Sequence, residues 1–187
     1  MNFLNYYNHP KNIRFKSFEF ALQEAENRNH KLLVETGTAR GRKKKYFFWY
    51  KENWKDGMST MIFSDYAKHI KGQLYTCDID EQNIKNAKKF TKKNKPFITF
   101  IKDDSVNFLK NFNQKIDFLY LDSFDGHFPN ASDHQLNEIK NSINLLTNNS
   151  LVLLDDKGSK TNLSSQFLLK NNYKIINETD QQLLLSL

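Results

Sequence analysis

Residues 116–122 read Ile-Asp-Phe-Leu-Tyr-Leu-Asp, a strand-length apolar segment interrupted only by Asp117 before its closing aspartate. A short run that is apolar at neighbouring as well as alternate positions is what a strand covered on both faces requires, so this segment is expected near the centre of a mainly parallel sheet. Downstream, Ser132 with Gln135 three residues later forms a candidate capping box for a helix carrying Leu136, Ile139, Ile143 and Leu146. SLVLLDD (150–156) follows as the next strand, Gly158 opens a loop, and Leu163, Phe167 and Leu168 mark one more helix. YKIINE (173–178) and QLLLSL (182–187) then stand close enough to pair as an antiparallel hairpin.

Upstream, a helix over Ser105–Phe112, the strand FITFI after Pro96, and a polar helix from about Glu81 to Lys93 with Ile84, Ala87 and Phe90 at helical spacing precede the central run. Before these come the strand QLYTCD (73–78) and a helix with Met61, Ile62, Tyr66 and Ile70, capped by Ser59 or Thr60 and ended by Gly72. LLVET (32–36) is the first strand, and Phe15, Phe18, Leu22 and Ala25 predict an opening helix over about residues 14–28. Strands that alternate with amphipathic helices specify βαβ units and an α/β fold.

The chain of 187 residues is sized for a single domain over 1–187. It is 39% hydrophobic with 16 Phe and 8 Tyr, lean in aliphatics yet far from the profile of a disordered chain. No stretch approaches the roughly 18 apolar residues of a membrane span, and the first residues lack a signal peptide's apolar run, so the protein is expected to be cytoplasmic with no membrane partner. The single cysteine, Cys77, excludes an internal disulfide and any multi-cysteine metal cage. The formal charge of +7 would suit a nucleic-acid partner, although an AT-rich coding sequence is the stronger account of the abundant lysine and asparagine.

Between Gly37 and Gly57 the periodicity breaks. A basic run (Arg40, Arg42, Lys43–Lys45) is followed by an aromatic one (Tyr46–Tyr50), which defines an insert over about 38–56. It reads as a lid over a planar or sugar-like acceptor, as a surface for single-stranded nucleic acid, or as either a disordered segment or an oligomer contact, the last of which would make the protein a homo-oligomer.

In an open α/β sheet ligands bind beyond the carboxyl ends of the strands, and here those places are acidic: Glu35, Asp78, Asp80, Asp104, Asp122, Asp125, Asp155 and Asp156. Solvated loop acids explain any one of these but not the set. Glu35-Thr36-Gly37-Thr38, Asp78, Asp104-Ser105, Asp122 and the terminal hairpin resemble class I S-adenosylmethionine (SAM) dependent methyltransferases. With Asp56-Gly57-Met58-Ser59-Thr60 and Asp155-Asp156, the pattern is most similar to the small-molecule O-methyltransferases of the macrocin and catechol type. The resemblance implies a Rossmann-like sandwich around a mostly parallel seven-stranded sheet with a C-terminal antiparallel hairpin, SAM as cofactor, and a small hydroxylated metabolite or sugar as methyl acceptor.

It also implies roles for residues. Gly37 and Thr38 would make the turn that receives the methionine moiety, Gly37 permitting close approach to the ligand and the strand exit offering free amide donors. Glu35 would face the ammonium group, and Gly57, Ser59 and Thr60 would approach the carboxylate, with a plain helix cap as the alternative for the hydroxyls. Asp78 has two oxygens for the vicinal ribose hydroxyls, and Asp104 with Ser105 would meet the adenine edge unless Asp103 does so or the aspartate merely caps a helix. Asp122, Asp155 and Asp156 would hold Mg2+ or Mn2+, which would lower the pKa of the acceptor hydroxyl for direct displacement at the methyl carbon. Catechol enzymes carry a lysine three residues after the first metal aspartate, where this chain has Asp125. Asp125, His127 and His134 are therefore the candidate bases.

Competing functions fit less well. A dinucleotide site wants a compact G-x-G-x-x-G, which the spacing of Gly37, Gly41 and Gly57 does not supply. An amino-methylating enzyme of nucleic-acid bases would show Pro-Pro-aromatic after Asp122, where the chain reads Ser123-Phe124-Asp125, and Cys77 is badly placed for a cytosine C5 nucleophile. A noncatalytic SAM- or nucleic-acid-binding protein on the same fold stays open.

Overall fold

The computed structural model describes residues 1–39, 41–46 and 49–187, with side chains for all of these except 42–46, 49 and 50. The basic and aromatic side chains on which the lid and nucleic-acid readings rest therefore lie outside the described residues. The elements run α1 (Phe15–Asn27), β1 (Leu32–Thr36), β2 (Arg42–Tyr46), β3 (Trp49–Glu52), α2 (Ser59–His69), β4 (Gln73–Asp78), α3 (Glu81–Phe90) and β5 (Ile98–Lys102). They continue with α4 (Ser105–Asn111), β6 (Ile116–Leu121), α5 (Ala131–Ser142), β7 (Leu146–Asp155), α6 (Thr161–Lys170), β8 (Lys174–Glu178) and β9 (Gln182–Ser186).

Seven strands form one sheet in the order β5-β4-β1-β6-β7-β9-β8, so the 116–122 run occupies the middle. The first five strands pair in parallel, and β9 pairs antiparallel with both β7 and β8. Strand order reverses between β1 and β6, and a crevice opens at such a switch point because the flanking connections leave to opposite faces.

Period-2 alternation divides the core. Leu33, Phe118, Tyr120, Leu151 and Leu153 face one side with α1 and α2, while Val34, Leu119, Leu121, Val152 and Leu154 face the other with α4, α5 and α6. The aromatic-rich composition reappears on the first side. Phe63 packs edge-on against Phe18, Phe118 and Tyr120 at centroid distances of 5.4, 5.5 and 5.2 Å, pairs that each contribute about 0.5–1.5 kcal/mol beyond area burial. Among the described residues no helix is long and apolar enough to cross a membrane.

Three local expectations change. The insert contains a two-stranded antiparallel hairpin, β2 with β3, closed at its base where the Asn53 amide donates to the Gly41 carbonyl at 2.9 Å. The polar helix ends at Phe90, and a 3-10 turn over Lys92–Phe97 accommodates Pro96. The capping box does not form: α5 starts after Asn130 without a side-chain cap. The buried Gln135 instead donates to the carbonyls of Leu121 and Asp155, both at 3.4 Å, and its Oε1 accepts from Ser164. A core amide that ties two strand tips to α6 outweighs a cap that water could replace.

Candidate active site

The tip of β1 is built inward. Gly37 adopts φ +83°, and a β-carbon there would stand 2.4 Å from the Asp122 carbonyl oxygen. The backbone of the neighbouring strand by itself requires the glycine. Its amide donates to Cys77 O at 2.9 Å, the Thr38 amide to Asp78 Oδ2 at 3.0 Å and the Ala39 amide to Thr60 Oγ1 at 2.7 Å. These three amides, expected as free donors at this exit, are used within the fold.

Glu35 is wholly buried and accepts from Ser59 Oγ at 2.6 Å, Thr60 Oγ1 at 2.7 Å and Thr76 Oγ1 at 2.6 Å. Burial pushes its carboxyl up to about 7, against the opposing pull of the three hydroxyls. Glu35, Gly57, Ser59 and Thr60 therefore lie beneath the crevice and do not line it. Ser59 and Thr60 do not cap α2 either, which begins after Met58 in a left-handed conformation. A carboxylate lacking other donors draws the hydroxyls away from the helix amides.

The crevice itself encloses about 580 Å3 and is lined by Gly37, Thr38, Asp78, Asp104, Ser105 and Asp122 among others, a volume ordinary for a small-molecule site. Asp78, at the end of β4, is oriented by the Asp80 amide on Oδ1 at 2.7 Å and by the Thr38 amide and Asn83 Nδ2 on Oδ2. Burial raises its pKa despite these donors. After β5, Asp103 accepts from the Asp104 amide and Asn107 Nδ2, while Asp104 Oδ1 accepts from the Asn107 amide at 3.0 Å as the cap of α4.

His134 joins this side of the crevice. Its Nε2 lies 2.9 Å from Ser105 Oγ and 3.1 Å from Ser123 Oγ, and Ser123 in turn donates to the buried Glu138 at 2.6 Å. Phe124 stacks on the His134 ring at 4.9 Å. Among the three candidate bases, Asp125 and His134 line the crevice, whereas His127 is exposed outside it against Phe128.

Asp122, Asp155 and Asp156 do converge, each offering an oxygen within 4.8 Å of the others. They converge on two cations that no motif in the sequence marks. Arg14 Nε donates to both oxygens of Asp155 at 2.7 and 3.0 Å, and Nη2 to Asp156 Oδ1 at 2.8 Å. Lys160 Nζ, 1% exposed, reaches Asp122 Oδ1 at 2.8 Å and Asp156 Oδ2 at 3.1 Å. Tyr120 OH donates to Asp122 Oδ2 at 3.2 Å and Gln182 Nε2 to Asp155 Oδ1 at 2.7 Å. Every carboxylate oxygen of the triad thus has a protein donor.

Burial disfavours the ionised form of Asp122, but the charges of Lys160 and Arg14 together with its hydrogen bonds to Lys160 and Asp155 outweigh it and hold this carboxyl below its usual range. Asp155 is driven up by burial and by the Asp122 charge. Burial also opposes protonation of Arg14 and Lys160, but their aspartate partners prevail and raise both. A divalent ion near two such cations would meet about 4 kcal/mol of repulsion per unit of charge product at roughly 4 Å. The donor set does not fit a resident Mg2+ or Mn2+. Neither cation carries a local signature: Arg14 precedes the periodic part of α1, and Lys160 sits in a loop, although its place four residues after Asp156 was visible.

The family model described as methyltransferase domain matches residues 54–157. No curated protein matches. Among solved structures, the SAH-bound methyltransferase PaMTH1 of Podospora anserina superposes with a TM-score of 0.66 at 15% identity, covering 91% of this chain and 77% of that one. The O-methyltransferase of Bacillus cereus in complex with SAH gives 0.62 at 11% identity, with 92% and 80% covered. A rRNA methylase of Streptococcus thermophilus gives 0.63 at 12% identity, with 95% and 98% covered. These likenesses carry the fold, and the match over more than half of the chain carries the family: the protein belongs to the class I SAM-dependent methyltransferases.

Proposed function

We propose that the chain, acting as one methyltransferase domain, transfers a methyl group from SAM to an oxygen of a small hydroxylated metabolite or sugar. The observation that carries this reading is the crevice at the β1/β6 switch, where Asp78 is held by two backbone amides with its carboxylate along the wall. A carboxylate so oriented suits two vicinal hydroxyls, and Asp104 and Ser105 stand at the neighbouring strand tip for a base edge. When bound, SAM supplies a methyl group on a sulfonium centre that an oxygen can displace directly.

The residues divide the work. Asp78 holds the ribose, Asp104 and Ser105 the adenine, and Gly37 keeps β1 close enough to β6 for the crevice to exist. Asp125, exposed at the mouth, takes the acceptor proton directly or through one water. His134, tied to Ser105, positions the adenine side instead of serving as the base. Lys160 and Arg14 are held protonated and take no proton from the acceptor.

Isothermal calorimetry with SAM tests the reading. Wild type should bind, and Asp78→Ala should weaken binding by about a hundredfold through two lost charge-assisted bonds. Absence of wild-type binding would remove the proposal.

A further inference from the structure

The acidic triad sits where the metal-dependent O-methyltransferases that this sequence resembles would hold a divalent cation, and here it is already saturated. Six carboxylate oxygens accept from Arg14, Lys160, Tyr120 and Gln182. All three aspartates fall within the stretch matched by the family model, while Arg14 and Lys160 fall outside it.

Both cations are placed by the fold. Asp156 takes φ +56°, and the amides of Ser159 and Lys160 return to its carbonyl at 3.1 and 3.0 Å, so the turn before α6 folds Lys160 back over the carboxylates. Arg14 enters across the crevice floor from the segment before α1. Its Nη1 donates to Lys55 O at 3.2 Å, and a β-carbon on Gly57 would stand only 2.9 Å from its Cδ. Long side chains fixed this way lose little further freedom in holding their partners, which distinguishes them from surface ion pairs.

We propose that Arg14 and Lys160 are a built-in counter-ion pair occupying the place of the divalent cation. They act as positioning residues that keep Asp122 and Asp156 oriented along the crevice, and the wild-type chain takes up no divalent ion there. Cation binding at this place is independent of methyl transfer by the chain.

The test titrates MnCl2 into the purified full chain by calorimetry and follows thermal unfolding with MnCl2 or EDTA. Wild type should show no stoichiometric site and a Tm that moves by less than about 1 °C, whereas Lys160→Ala should bind manganese and gain several degrees. Adding Asp156→Asn to Lys160→Ala should abolish that gain, an effect that merely loosened packing would not produce. Should Lys160→Ala fail to fold without the ion, recovery of its helical circular dichroism on adding MnCl2 supports the proposal. Should it fail in both conditions, Arg14→Gln replaces it, with the same gain expected. A stoichiometric manganese site in wild type that Asp122→Asn removes overturns the proposal, as does a folded Lys160→Ala or Arg14→Gln protein with no gain. SAM binding measured on the same samples separates this outcome from failure of the methyltransferase reading.

Discussion

Replacing Glu35 by glutamine should change how stability depends on pH. The carboxyl has no solvent exposure, and burial lifts it from an ordinary 4.5 to about 7. Below 4.5 it is protonated in both folded and unfolded chains. Between 4.5 and about 7 the unfolded chain ionises while the folded one keeps its proton, so folding stability falls as pH rises, and above that window the deficit stays constant. A shift of this size is worth about 3 kcal/mol. Glutamine does not titrate, so its variant lacks this loss. Denaturant unfolding of both proteins at about pH 5 and about pH 8 should show the glutamine variant gaining about 2.5 kcal/mol relative to wild type between the two conditions, part of the loss being already present at the lower pH. Taking the difference between proteins cancels titrating groups that do not interact with Glu35, and Asp122, which does, is held below its usual range and stays ionised across both conditions. Parallel profiles would refute the reasoning and mean that Ser59, Thr60 and Thr76 hold the carboxylate ionised.

Gly37→Ala should cost about 3 kcal/mol or more, from positive φ and a collision with the Asp122 backbone, read as a lower denaturant midpoint. Burial raises the Cys77 thiol to about 12, so a thiol reagent at neutral pH should leave the native protein unlabelled and label it once unfolded. Deleting Lys43–Trp49 should reduce turnover of the acceptor far more than SAM affinity; equal losses in both would indicate misfolding instead of a lid.

The sheet was legible because strand burial is a local pattern. The 116–122 run lies at the middle of seven strands, and the terminal hairpin pairs antiparallel as its spacing predicts. Asp78 and Asp104 were legible because a strand tip projects its last residues into the crevice wherever the helix goes. The misreadings concern partners far away in sequence. Nothing around Ser59 or Thr60 reveals that their hydroxyls turn from α2 toward Glu35, and Gln135 looks like a capping residue until the tips of β6 and β7 arrive beside it. Arg14 was missed for the same reason, since it and Asp155 come from opposite ends of the chain, whereas Lys160 stands only four residues after Asp156.

The amide of Asn53 meeting the carbonyl of Gly41 ties off β2 and β3 at their root. Because the ends are already joined, doubling the chain between them would add only about 0.6 kcal/mol of closure entropy. The hairpin is thereby an exchangeable cassette: its length and side chains can drift, or be replaced by design, without the sheet having to relearn its strand order.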